Sequence, residues 1–235
     1  MPAMPDAPGR AALLGWMAVG RADDERYNSW YSYEHVPERL AVPGFVRCCR
    51  FRSVGGGPQT IYFTWYEVAG LAVLTSPAYL ERLDNPTPLT RATAPCSRLL
   101  ARGAFEVAGR WGGPGVGGVV RVLPLAVPAA ELAAAPVAAA LAEAAGGARG
   151  YAAGLAGACL LRNDVAVAGA RAGTSEGRLT DPAASPGGDV LVLEADSTAQ
   201  LDHWARLLAG LGLCVASTEW SRWNYRLMFA RRPTP

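Results

Sequence analysis

Tyr27, Tyr31 and His35 follow one another at intervals of four, with Trp30 and Glu34 beside them. Residues three and four apart are neighbours on a helix, so on a helix these five share one broad face. An imidazole, phenols, an indole and a carboxylate on one face make an aromatic pocket suited to a flat, partly apolar ligand. His35 is the candidate general acid or base, because an unperturbed imidazole titrates near physiological pH. Tyr31 is the second candidate catalytic residue, and Tyr27, Trp30 and Glu34 are candidate substrate contacts. Plainer roles compete with these. His35 would also serve at a helix C-terminus, bonding a carbonyl next to Pro37. Tyr31 and Trp30 would also serve as core, and Glu34 and Glu38 as solvated partners of Arg39.

That face must look onto something. Thr60 to Val68 (TIYFTWYEV) is aromatic and β-branched, the strongest strand signal in the chain. Strict alternation sends Tyr62, Trp65 and Tyr66 towards the helix or away from it, and Tyr62 and Trp65 join the candidate substrate contacts. On the preceding strand Arg47 shares a face with Cys49 and Phe51, and Arg50 with Arg52 and Cys48. A buried arginine must be paired. A carboxylate or phenolate ligand is one such pair, which makes Arg47 a candidate contact; a surface or inter-half salt bridge is the other. A second cluster holds His203, Trp204, Trp220, Arg222, Trp223, Asn224 and Tyr225. Such crowding suits the seam between two sheets. A second pocket containing His203 and Trp223 is the alternative.

Other chemistries lack their residues. Every basic residue is arginine, so Schiff-base chemistry and a P-loop lysine are excluded. The two histidines are far apart with no HxH or HxxE pattern, so no metal site is expected. The glycines between Gly112 and Gly118 precede a strand, whereas a dinucleotide fingerprint follows one and opens a helix. No GxSxG or Cys-His signature occurs. Cys48, Cys49, Cys96, Cys159 and Cys214 match neither a zinc nor a CxxC spacing and read as reduced, largely buried thiols.

The elements that would carry these residues follow from pattern and punctuation. Ala11 to Val19 reads as a strand. A helix capped at Asp23 or Asp24 runs to about His35, where Pro37 is expected to end it. Phe45 to Ser53 and Thr60 to Val68 read as a hairpin, Ser76 to Leu83 as a helix and Leu99 to Val107 as a strand. Trp111 to Gly115 reads as a linker. The order then recurs: strand from Val116 to Leu125, helix from Pro128 to Ala145, strand from Ala156 to Arg162. A long hairpin loop from Gly169 to Gly188, a strand from Asp189 to Ala195, a helix from Ser197 to Leu211 and a last strand within Cys214 to Ala230 complete it. The expected fold class is α+β: two ferredoxin-like βαββαβ units, 10–110 and 116–231, joined by linker 111–115 and fused into one intramolecular α+β barrel of the dimeric type. Packing the two bare sheet faces together would bury both.

Composition narrows the class without naming a reaction. With 235 residues there is room for one large domain or two small ones. Charges of 22 basic and 20 acidic give no electrostatic reason to bind nucleic acid or an anionic membrane. No apolar run reaches the roughly eighteen residues of a membrane helix. Met1 to Arg10 has Asp6, three prolines and no basic region, so no signal peptide is expected there. The expected location is therefore the cytoplasm.

The block Asn28-Ser29-Trp30-Tyr31-Ser32-Tyr33-Glu34-His35-Val36-Pro37-Glu38-Arg39-Leu40, continuing Ala41-Val42-Pro43-Gly44-Phe45, resembles the EthD-like branch of the dimeric α+β barrel superfamily. So do Ser76-Pro77-Ala78-Tyr79-Leu80 and Asn85-Pro86-Thr87-Pro88. The resemblance spans roughly residues 10 to 108, and the second half lacks the block. It implies a pocket between the sheet and its helices. The superfamily includes cofactor-independent monooxygenases and cyclases of aromatic polyketides, lyases, isomerases, haem-binding enzymes and binding proteins. The expectation is a cofactor-independent enzyme of bacterial secondary metabolism acting on an aromatic or polyketide-like intermediate, as cyclase, isomerase, lyase or oxygenase. A non-catalytic carrier for a hydrophobic metabolite is the alternative. Haem held by His35 or His203 is an alternative cofactor reading on superfamily grounds. The chain is expected to act as a monomeric fused barrel or a homodimer.

Overall fold

The computed structural model describes residues 9–55, 57–112, 117–146, 154–180 and 185–234. The alternation of the two strongest strands sets the architecture. In β1 (Ala11–Gly20) and β3 (Gln59–Val68), Leu13 lies opposite Tyr66, Trp16 opposite Phe63 and Met17 opposite Tyr62. Odd and even positions therefore build two different cores. Leu13, Met17, Tyr62 and Tyr66 pack under helices, while Leu14, Trp16, Phe63 and Trp65 pack on the opposite face.

That opposite face is the inside of a closed antiparallel barrel. Its strands run β1-β3-β2-β8-β5-β7-β6-β4, with β2 Phe45–Ser53, β4 Ser97–Gly112, β5 Val119–Pro124, β6 Gly157–Asn163, β7 Val190–Ala195 and β8 Asn224–Arg231. Each half of the chain supplies four neighbouring strands, in the order fourth, first, third, second. Closure leaves no free sheet edge. Inside, Trp16 lies 5.0 Å from Phe63 and 4.3 Å from Trp220 between ring centroids, and Phe63 lies 5.5 Å from Tyr225. Trp220 and Tyr225 thus form the seam between the halves.

Outside the first half lie α1 (Asp24–Trp30), a π-helical turn Tyr31–His35, α2 (Val36–Leu40), α3 (Pro77–Asp84) and α4 (Pro88–Thr93). Outside the second half lie α5 (Ala129–Ala134), α6 (Pro136–Ala145) and α8 (Thr198–Gly210), the last opened by a Ser197/Gln200 capping box, while α7 (Val165–Gly169) packs over β4 and the Leu71–Thr75 turn of the first half. No helix among the described residues is long and apolar enough to cross a membrane.

Four expectations change. The helix from Asp24 does not end at Pro37 but runs on to Leu40. The N–H of Val36 donates to Tyr31 O, five residues back, so the extra residue of a π turn accommodates a proline that has no N–H to give. The helix expected over 128–145 is broken, because Ala135 before Pro136 is extended with ψ 154°. Trp111 and Gly112, expected as the start of a linker over 111–115, pair instead with β6 as the end of β4. Residues 113–116, including the expected start of the next strand, lie outside the described residues. Finally, β8 starts only at Asn224; Cys214 makes an isolated bridge to Leu125, and Trp220 sits in a turn.

Candidate functional site

The site is built where α1, the π turn and α2 cross the outer face of the first-half sheet. A buried cavity of about 80 Å³ lies there. Tyr27, Trp30, Tyr31, His35 and Arg39 form one wall, and Gly15, Thr64 and Tyr66 of the sheet form the floor. The helical spacing brings its aromatics together as expected. Tyr31 lies 4.5 Å and Trp30 5.0 Å from His35 between ring centroids, and Tyr27 lies 5.6 Å from Tyr31. Gly15 faces Thr64 across the β1–β3 ladder, and a side chain there would stand in the cavity floor.

The remaining wall comes from the second half. Between β6 and β7 the chain forms α7, a series of turns and a 3₁₀ turn at Gly177–Leu179, not the plain hairpin loop expected there. It docks on α3: Glu176 N donates to Leu83 O at 2.8 Å, and Ser175 N to Asp84 Oδ1 at 2.9 Å. Arg171, Glu176 and Thr180 then line the cavity. Arg39 and Glu176 form a buried ion pair across the two halves.

Electrostatics set the protonation states. Burial first, and Arg39 second, push His35 down to about 3, so its imidazole is neutral at physiological pH. Burial pushes Glu176 up, but Arg39 beside it, with His35, outweighs this and holds it down to about 2. Burial raises the phenols of Tyr27, Tyr31 and Tyr66, which keeps them as hydrogen-bond donors. Two residues of the cavity carry a buried polar atom with no hydrogen-bond partner, His35 Nδ1 and Arg39 Nη1, and the hydroxyls of Thr64 and Tyr66 cluster with that of Tyr31 beside them. Buried polar groups are normally satisfied. These groups would offer a polar ligand in the cavity both an acceptor, His35 Nδ1, and donors.

The other sequence candidates lie elsewhere. Tyr62 is behind the cavity wall, its hydroxyl bonded to Asp24 at 2.9 Å. Glu34 points away and accepts from the Thr87 hydroxyl, tying the π turn to the NPTP segment. Trp65 points into the barrel, on the side opposite to the one expected of a substrate contact, because alternation assigns Tyr62, Thr64 and Tyr66 to the helix side. Arg47 is also inside the barrel, 3.1 Å from Glu67, which Arg110 shares at 2.9 Å. His203 is exposed on α8 and touches the edge of Trp204. Trp223 packs at the barrel core under Arg222. Neither reaches this cavity. Among the described residues no three metal-ligating side chains converge.

Arg39, Arg102, Arg171, Glu176 and Tyr79 were not singled out by sequence. Arg39 follows His35 at helical spacing and was legible, had Pro37 not been expected to stop the helix. Glu176 and Arg171 sit in a Gly/Ser/Thr-rich stretch with no periodicity to mark them.

No protein-family model matches the sequence, and no curated protein matches it. Solved structures do. An anthrone oxidase-like protein aligns over 94% of this chain and 93% of its own, with TM-score 0.50 and 12% identity. A Fusobacterium nucleatum protein provisionally named a monooxygenase aligns over 95% of both chains, with TM-score 0.51 and 8% identity. The chain shares its overall fold with these two structures. At such identity the likeness concerns fold, and the chemistry rests on the residues.

Proposed function

We propose that this chain is a small-molecule enzyme that removes a proton from a phenolic or enolisable aromatic substrate at His35 and delivers the resulting anion to dioxygen, without a resident cofactor. The observation that carries the reading is the pair of unpartnered buried atoms at the cavity, His35 Nδ1 and Arg39 Nη1. In the first step a substrate O–H or C–H bond breaks and its proton passes to Nδ1 of neutral His35, which requires the tautomer with hydrogen on Nε2. The electron pair stays on the substrate oxygen. Arg39 Nη1 and the hydroxyls of Thr64 and Tyr66 are its donors, and Tyr31 adds a protonated phenol to the wall. Arg39 depresses His35, and a substrate anion beside both would restore the basicity of the imidazole. With dioxygen as oxidant, a ring methylene becomes a carbonyl and one water leaves. The names of the two structural neighbours favour oxygenation over cyclisation, isomerisation or lyase chemistry.

The two halves are best read as fused βαββαβ units, the first of EthD-like type. The same strand order in each half supports this, as does the WY-EH block in the first half alone. Their fusion places the second-half segment that carries Glu176 over the first-half cavity.

The test is oxygen consumption with a panel of anthrones and naphthols. The wild-type chain is expected to turn over at least one. His35→Ala should lose roughly a hundredfold or more of the rate, and Tyr31→Phe less. Equal rates in both variants sink the reading, and tight binding without turnover converts it to a carrier.

A further inference from the structure

The cavity shares two wall residues, Arg102 and Arg171, with a second pocket of about 250 Å³ on its outer side, whose remaining wall includes Val165, Ala168 and Ser185. The two guanidinium groups are close enough that Arg102 pulls Arg171 down, second only to burial. Both spend their bonds on neutral acceptors. Arg102 donates to Ala168 O at 3.2 Å and to the Tyr79 hydroxyl at 3.1 Å. Arg171 donates through Nη2 alone, to Glu176 O at 3.2 Å and to the Thr180 hydroxyl at 3.1 Å. Among the described residues neither has a carboxylate within ion-pair distance. The nearby carboxylate, Glu176, is engaged by Arg39.

Two adjacent, partly desolvated cations with no ion-pair partner among the described residues are costly. We infer that this outer pocket is a carboxylate subsite, and that the substrate is an aromatic or enolisable acid whose reacting ring sits in the inner cavity. The inference rests on the proposed function and adds its substrate class. Charge counting supports it. Arg39, Arg102 and Arg171 against Glu176 leave two positive charges, which match one carboxylate and one developing enolate or phenolate. A guanidinium fork is the group that fits a planar carboxylate. Size agrees: the inner cavity of about 80 Å³ is smaller than the outer pocket of about 250 Å³, so a substrate that fills both must pass the two arginines they share.

The probes are 4-hydroxybenzoate and its neutral analogue 4-hydroxybenzamide, titrated by calorimetry against the full chain. The acid is expected to bind at least tenfold tighter at low salt, with the ratio falling as salt rises. In the Arg102→Gln/Arg171→Gln double variant the ratio should fall close to one. Equal binding of the two probes by the wild-type chain, or a ratio that survives in the double variant, overturns the subsite and leaves the inner cavity's role standing. Failure of both probes to bind overturns the reading of the cavity and the subsite with it. Should the double variant melt early, Arg102→Lys keeps the charge without the fork. Its ratio should lie between wild type and one, and an unchanged ratio counts against the inference.

Discussion

The guanidinium of Arg39, on the first-half helix, and the carboxylate of Glu176, in the second half, make a buried ion pair at the wall of the cavity. Removing one partner leaves the other charged and buried, which costs about 3–5 kcal/mol, whereas replacing both by apolar groups costs far less. Glu176→Leu is therefore expected to lower stability by about that amount. The Arg39→Met/Glu176→Leu double variant should be more stable than Glu176→Leu alone. Urea denaturation of the parent, Glu176→Leu, Arg39→Met and the double variant closes the cycle, and additive single effects would rule out a coupled pair.

Gly15 makes a prediction of opposite sign for stability and binding. A Cβ built there meets only Met17 Sδ at 3.8 Å, an ordinary contact. Gly15→Ala should thus leave the strand intact and gain roughly 0.5–1 kcal/mol from reduced chain entropy. The new methyl would stand on the cavity floor opposite Thr64. Binding of a small phenol should weaken while the melting temperature holds or rises. A variant that melts lower, or binds as the parent does, would show that Gly15 does not shape the floor.

His35 carries a pH signature. Its folded value, about 3, lies below the ordinary 6.5, because burial and Arg39 disfavour the imidazolium. The unfolded chain then binds more protons in that interval, so stability is complete above about pH 6.5 and is lost as pH falls towards about 3. Glu176, lowered to about 2, adds loss in the same direction below its ordinary 4.5. Thermal melts of His35→Asn should show a flatter decline between about pH 6.5 and 4.5 than the parent, with the steeper acid limb retained. An NMR titration of the His35 ring with a midpoint near 6.5 would refute the account.

Much of this site was legible because it is local. The four-residue spacing of Tyr27, Tyr31 and His35 predicts their shared face, and the structure sets their rings side by side at one wall. The aromatic strand Thr60–Val68 predicts its own position under the helix. What alternation leaves open is the sign of the face: Tyr62 and Tyr66 went outward, Trp65 inward, and nothing within the strand distinguishes them. Pro37 misled because a proline ends an α-helix, and a π turn is set by packing that no local pattern records. Arg171 and Glu176 come from residues far along the chain in an aperiodic stretch. They reach the cavity through barrel closure, a relation between halves that a one-dimensional pattern does not carry. The same holds for Arg47, whose partner Glu67 is fixed by strand register.

Arg50 provides the sharpest contrast between charge and shape. It is fully buried, with its guanidinium carbon 4.4 Å from the ring centres of both Tyr31 and Tyr62. Nη1 donates to Ser32 Oγ at 2.8 Å and to Asn28 Oδ1 at 2.5 Å, while Nε and Nη2 have no partner. Among the described residues no carboxylate pairs with it. The flat delocalised cation is held by two aromatic faces, and a compact ammonium cannot stack in that way. Arg50→Lys should therefore cost about 2–4 kcal/mol, since it buries a strongly hydrated charge with poorer contacts. Arg50→Met fills the same slot with no charge to strand and should cost less than Arg50→Lys. Chemical denaturation of the two variants decides the matter. If lysine is the better replacement, charge and not the planar stack holds Tyr31 in place over the sheet.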